Sequence, residues 1–105
     1  MSDIKVSVTF RHTEPTAALK RYVEQKLRRM GKYFSQPLDA RVILAVDAKE
    51  CQMAEVELHG HGTVVHGKGE HVDLYAAIDL AIDKIRRQVK KQKEKIKLER
   101  RRSQA

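Results

Sequence analysis

Residues 4–10 (IKVSVTF) alternate strictly, with Ile4, Val6, Val8 and Phe10 set against Lys5, Ser7 and Thr9. Side chains on a strand point alternately to its two faces, so this pattern predicts a strand with one face buried. From residue 14 the apolar spacing lengthens to steps of three and four, at Leu19, Tyr22, Val23, Leu27 and Met30. That spacing predicts an amphipathic helix over 14–30, with Pro15 in its first turn, where a missing N–H costs little, and Gly31 as its left-handed stop. A turn across Ser35–Asp39, containing Pro37, leads to a second strand at Ala40–Asp47, with Val42, Leu44 and Val46 on one face. Lys49 and Glu50 fall in the next turn. Gln52–His59 alternates again, with Ala54, Val56 and Leu58 inward, and Gly60-His61-Gly62 turns the chain into a fourth strand, Thr63–Gly69. Gly67 and Gly69 share a face of that strand, which leaves room for a helix to lie close. Asp73, a good N-cap type, opens a helix predicted to run to about Leu98. Its apolar stripe is Leu74, Ile78, Ala81, Ile82, Ile85, Val89 and Ile96.

The order β-α-β-β-β-α predicts an α+β two-layer sandwich: a four-stranded sheet with both helices on one face and solvent on the other. The first β-α-β unit should join parallel strands by a right-handed crossover. Residues 1–98 read as a single domain and 99–105 as a flexible basic tail. At 105 residues, 41% hydrophobic and 34% charged, the chain can build one modest core but not a deep substrate pocket as well. No apolar run approaches the ~20 residues that span a bilayer. Asp3, Lys5, Arg11, Glu14 and Lys20 interrupt the start too often for a secretion signal. The lone Cys51 forms no internal disulfide. The expectation is a soluble cytoplasmic protein.

Charge sharpens this picture. The formal net charge is +8, yet residues 1–83 carry 11 Lys+Arg against 12 Asp+Glu, and residues 84–105 carry 11 against only Glu94 and Glu99. A helix from Asp73 to Leu98 would be about 39 Å long, against ~20–23 Å for the strands, so its cationic end projects past the sheet. Lys84, Arg87, Lys91 and Lys95 fall on one stripe, read as roughly opposite the apolar face. Arg86, Lys90, Lys93 and Lys97 fall along a flank. Asp73, Asp79 and Asp83 near the helix start suit the macrodipole, and Asp83 to Arg87 is an i,i+4 pair. Dipole matching needs only two or three cations, worth ~0.3–1 kcal/mol each. Eleven, crowded where like charges repel, point to a polyanionic partner.

The first helix adds Lys20, Arg21, Lys26, Arg28, Arg29 and Lys32. A membrane-surface helix wants Trp, Phe or Leu opposite its cations. Here the apolar stripe is needed by the sheet, and Trp is absent. Binders that stack single strands want exposed aromatics, but Phe10, Tyr22, Tyr33, Phe34 and Tyr75 sit mostly at core-like positions. Folded or double-helical RNA, gripped through phosphates and shape, fits best.

Asp73-Leu-Tyr-Ala-Ala-Ile-Asp79, Asp83-Lys84, Arg87-Gln88, Lys91, Lys93 and Lys95 resemble the second helix of the ribosome hibernation-promoting factor family, which includes the protein Y type of ribosome-associated inhibitor. Glu14, Ala18-Leu19, Val23, Lys26-Leu27, Arg29 and Lys32-Tyr33-Phe34 fit its first helix and the turn after it. The resemblance extends from about Ile4 to Lys97. It implies a fold like that of double-stranded-RNA-binding domains and the role of a bacterial, stationary-phase translation regulator. The implied partners are the small ribosomal subunit with its 16S rRNA and the 70S ribosome. Such a protein occupies the decoding region across the A and P sites and keeps tRNA and mRNA out of idle ribosomes. Whether ribosome modulation factor joins as a partner stays open. Carried over by position, the RNA-binding residues are Lys26, Arg29, Lys84, Arg87, Lys91, Lys93 and Lys95, with Lys20, Arg28, Arg86 and Lys90 secondary. Tyr75 is expected to pack rather than touch RNA. Long members of the family carry a second, dimer-forming domain; this sequence, ending at Ala105, reads as a short form.

Other chemistry is weaker. His12, His59, His61, His66 and His71, with Cys51 the only thiol, do not make a four-ligand zinc site. Asp79 and Asp83 lie a turn apart but read as capping and ion-pairing carboxylates. Gly67-Lys68-Gly69 lacks the spacing of a phosphate loop. No cofactor, metal, catalytic residue, membrane or small-molecule substrate is expected. The main alternative is a general double-stranded-RNA module, whose basic cluster would sit at the start of the last helix rather than at its end. A helix-pairing protein is disfavoured because apolar positions thin out after Val89.

Overall fold

A computed structural model describes residues 4–31, 38–46, 51–60 and 63–103, with side chains at all of these except 31, 63 and 92–103. The elements are β1 (Ile4–Arg11), α1 (Ala17–Gly31), β2 (Leu38–Val46), β3 (Gln52–Gly60), β4 (Thr63–His71) and α2 (Leu74–Ser103). The strands form one sheet in the order β1-β2-β3-β4. β1 and β2 are parallel, Val6 opposite Ala40 and Val8 opposite Val42. β2 with β3 and β3 with β4 are antiparallel. This is the β-α-β-β-β-α sandwich predicted from the alternation, with α1 crossing between the parallel pair.

Alternation decides which face is covered. Val42, Leu44, Ala54 and Val56 of the sheet meet Val23 and Leu27 of α1 and Ile78, Ile82 and Ile85 of α2 in one buried core. α2 lies along β3 and β4, and α1 beside it over β1. The contact with β4 is very close. A Cβ on Gly67 would stand 2.5 Å from the Ala81 carbonyl oxygen. One on Gly69 would strike the Ala77 carbonyl and come within 2.8 Å of Ala81 N. Both glycines are therefore required by the approach of the helix backbone, as their shared face predicted.

The helix boundaries differ from the reading of the sequence in two places. α1 starts after Thr16, whose hydroxyl accepts a hydrogen bond from Leu19 N at 3.2 Å and whose carbonyl accepts one from Lys20 N at 3.2 Å. Pro15 thus precedes the cap instead of sitting in the first turn, because Thr16 offers a capping hydroxyl that Pro15 lacks. α2 is capped by Asp73, as predicted: its carboxylate accepts from Tyr75 N and its carbonyl from Ala77 N, each at 3.0 Å. The helix then continues past Leu98 to Ser103, since the Glu and Arg residues of the supposed tail are good helix formers. β2 begins at Leu38, ahead of Ala40, with Leu38 buried opposite Ile4. The readings at 32–37, 47–50 and 61–62 lie outside the described residues.

β1 and β4 point the same way, so α1 and α2, each reversing after its strand, run parallel and end at the same side of the molecule. Thirty residues of α2 extend about 45 Å, against about 30 Å for the nine residues of β4. The molecule measures 55 × 26 × 18 Å, its long dimension set by this overhanging helix.

Candidate nucleic-acid interface

The first half of α2 uses up its own anions. Asp73 caps the helix. Asp83 pairs with Arg86 at 3.7 Å, one step earlier than the expected Arg87; both spacings bring side chains onto one helical face. Asp79 reaches across to α1, where its Oδ1 accepts a hydrogen bond from Tyr22 Oη at 2.6 Å and pairs with Lys26 Nζ. Tyr75 packs edge-on against Tyr22, ring centroids 4.9 Å apart at 78°, and the Lys26 ammonium lies 5.1 Å from the Tyr22 ring centre. Tyr75 is thus a packing residue, as expected, though 39% of it remains exposed.

This cluster tunes its members. Burial would raise the Asp79 pKa, but hydrogen bonds from Lys26 and Tyr22 and the Lys26 charge outweigh it and hold the carboxyl below its ordinary value. Burial would likewise lower Lys26, but the bonds to Asp79 and Tyr22 and the Asp79 charge raise it. Tyr22 is raised, first by its bond to Asp79 and then by burial. A hydrogen-bonded ion pair therefore persists across the seam at neutral pH.

The secondary candidate Arg86 pairs with Asp83, and two of the primary residues named as RNA contacts are also engaged inside the protein. Lys26 is the first. The second is Lys84, whose ammonium donates to the Lys68 carbonyl of β4 at 2.6 Å; one turn on, Gln88 Nε2 donates to the His66 carbonyl at 2.7 Å. The stripe beginning at Lys84 therefore starts against the outer edge of β4, a flank of the helix, and not opposite the apolar face. Neither contact was legible as a pair in the sequence. The available signal was that Tyr22 and Lys26 on α1, and Tyr75 and Asp79 on α2, are each one turn apart and complementary.

Other named cations are free of such duties. Arg28, Arg29, Arg87, Lys90 and Lys91 are exposed and have no ion-pair partner among the described residues. Arg29 follows Tyr22 and Lys26 on the face of α1 toward α2. Arg86 and Lys90 continue the face of α2 that holds Asp79. By helical spacing both rows lie on the sides of their helices that face the seam, beyond the Lys26–Asp79 pair, with Arg29 in the basic last turn of α1. Lys20 and Arg28 are exposed on the far side of α1, apart from this seam. The side chains of Lys93 and Lys95 lie outside the described residues, although α2 runs through both positions.

The opposite face of the sheet is charged but balanced. Lys5 stands opposite Asp39, Arg41 opposite Glu57, and Glu55 opposite Lys68. His66 Nε2 lies 2.7 Å from Glu55 Oε1, and Lys68 Nζ lies 3.3 Å from Glu70. His59 Nε2 is 2.7 Å from Glu57 Oε1, but not aligned for a hydrogen bond. Among the described residues, no three His, Cys, Asp or Glu side chains gather into a metal site. A groove of about 320 Å³ between β4 and α2 is lined by Lys68, Gly69, Glu70, Leu80 and Lys84.

Comparison with known proteins agrees with this architecture. A ribosome hibernation promoting factor from Azotobacter vinelandii is 40% identical over 92 residues, 88% of this chain and 85% of that one. One from Escherichia coli K12 is 35% identical over 94 residues, 90% and 98% of the two chains. The crystal structure of the Thermus thermophilus Protein Y N-terminal domain superposes with a TM-score of 0.76 at 38% identity, covering 85% of this chain and 97% of that domain. A ribosomal subunit interface protein from Coxiella burnetii shares the fold, with a TM-score of 0.74 at 22% identity over 90% of this chain and 99% of its own. The model of the family described as "Sigma 54 modulation protein / S30EA ribosomal protein" matches residues 6–97, and the chain belongs to that family.

Proposed function

We propose that this protein is a non-enzymatic ribosome hibernation factor that binds the small subunit at the decoding region, across the A and P sites, and keeps tRNA and mRNA out of idle ribosomes. The observation that carries the reading is the set of uncompensated cations at the common end of two parallel helices. Arg29, Arg87, Lys90 and Lys91 are exposed there without carboxylate partners among the described residues. Such rows suit the ribose-phosphate strands of 16S rRNA, with Arg86, Lys93 and Lys95 extending them. Phosphate contacts position a protein without reading sequence, which suits a plug in a folded RNA channel. The relatives named as hibernation promoting factors support the biological role.

Each neutralised phosphate releases counterions, lowering log K by about 0.7–0.9 per decade of salt. Binding to purified small subunits, measured from about 50 to 300 mM salt, should therefore weaken steeply; a flat response would defeat the mechanism. Sedimentation with added duplex RNA separates the alternative: a general duplex binder is stripped from ribosomes by the competitor, whereas a decoding-channel plug remains.

A further inference from the structure

We infer that Lys26 is a positioning residue and not a phosphate contact: with Tyr22 and Asp79 it clasps α1 to α2 and sets the spacing of the Arg29 and Arg86/Lys90 rows. The inference rests on the reading just proposed and reassigns one of its residues. Three observations support it. First, the Lys26 ammonium is paired with Asp79 and lies over the Tyr22 ring, while Tyr22 donates to the same carboxylate oxygen at 2.6 Å. Second, turning Lys26 toward a phosphate would uncover Asp79 to that phosphate, replacing an attraction with a repulsion between two anions. Third, like-charged rows on neighbouring helices repel each other, so the seam needs an attractive contact, and this clasp lies one turn before Arg29 on α1 and two turns before Arg86 on α2. Lys26 and Arg29 are three residues apart, and Asp79 and Arg86 are seven apart, so each helix carries a clasp residue and a cation on the same face.

The test measures small-subunit affinity against salt at a temperature where circular dichroism shows every variant folded. Lys26→Gln should weaken binding about tenfold, a typical size for coupled contacts, while leaving the salt slope unchanged. Arg29→Gln should lower the slope by about 0.7–0.9. The exchange Lys26→Asp with Asp79→Lys should recover most of the affinity lost by Lys26→Asp alone. Three outcomes overturn the inference. They are a slope for Lys26→Gln reduced like that of Arg29→Gln, a folded Lys26→Gln that binds as tightly as the unaltered chain, or an exchange no better than the single reversal. Should the exchange fail to fold, the slope and affinity of Lys26→Gln still decide. Loss of salt-sensitive binding by the unaltered chain would remove the functional reading as well, whereas the three outcomes above leave that reading standing.

Discussion

The two faces of this molecule treat their charges in opposite ways. On the open face of the sheet, cations stand in register with anions: Lys5 with Asp39, Arg41 with Glu57, Lys68 with Glu55. On the helical side, the anions of the first half of α2 are consumed by a cap, a clasp and a local pair, and among the described residues the cations beyond them stand without a carboxylate partner. Charge density alone does not mark an interface. What marks it is charge left over after the protein's own partners are counted, because only that charge gains from meeting an outside polyanion.

The largest effect should come from erasing this asymmetry. Changing Arg29, Arg87, Lys90 and Lys91 to Gln together should lower the salt slope of small-subunit binding by about 3, and the affinity by orders of magnitude near 150 mM salt. Changing Lys5, Arg41 and Lys68 to Gln on the open face should leave both within about twofold, since exposed matched pairs contribute little. Equal losses from the two sets, read by filter binding, would mean the comparison has been drawn wrongly.

A smaller effect is expected from the support beneath the cations. Gly69→Ala places a methyl group against the Ala77 carbonyl and Ala81 N, a backbone obstacle that no rotamer change relieves. Overpacking of this kind costs about 3 kcal/mol, which should lower Tm by more than 10 °C in a domain of this size. Replacing the exposed Glu70 by Ala should be nearly neutral, and calorimetry on the pair would show whether closeness or mere occupancy of β4 matters.

The smallest effect concerns the clasp. The Asp79 pKa is depressed below its ordinary 3.8, so its contribution to stability is present above that value and is lost as pH falls through the lower, folded one. Lys26 and Tyr22 are raised above 10.5 and 10.0, so their contributions hold below those values and are lost as pH rises through the folded ones. Urea midpoints of the unaltered chain and Asp79→Ala should therefore differ most around neutral pH and draw together as the pH falls progressively below 3.8. A difference that persists undiminished from neutral pH into strong acid would deny the ion pair.

Alternation along the strands, the glycine pair on β4 and the Asp73 cap were all legible in the sequence, because each follows from local periodicity or from one residue's backbone preference. The α1 start was misplaced because proline's tolerance in a first turn competes with Thr16's hydroxyl, and only the folded chain shows which prevails. Lys26 is placed among the RNA contacts by the family resemblance, which says nothing of the partner its side chain meets within the fold. Asp79, its partner, is 53 residues away. The stripe beginning at Lys84 was visible too, but the β4 carbonyl beside it depends on how α2 crosses the sheet.

That carbonyl has a wider meaning. An edge strand with unoccupied main-chain acceptors invites another chain to extend the sheet. Lys84 and Gln88 occupy two of them on β4 from above, and a lysine head at the rim adds charge that an incoming strand would have to bury. The helix that presents cations outward thus also covers part of the rim of its own sheet, where a neighbouring strand would otherwise add.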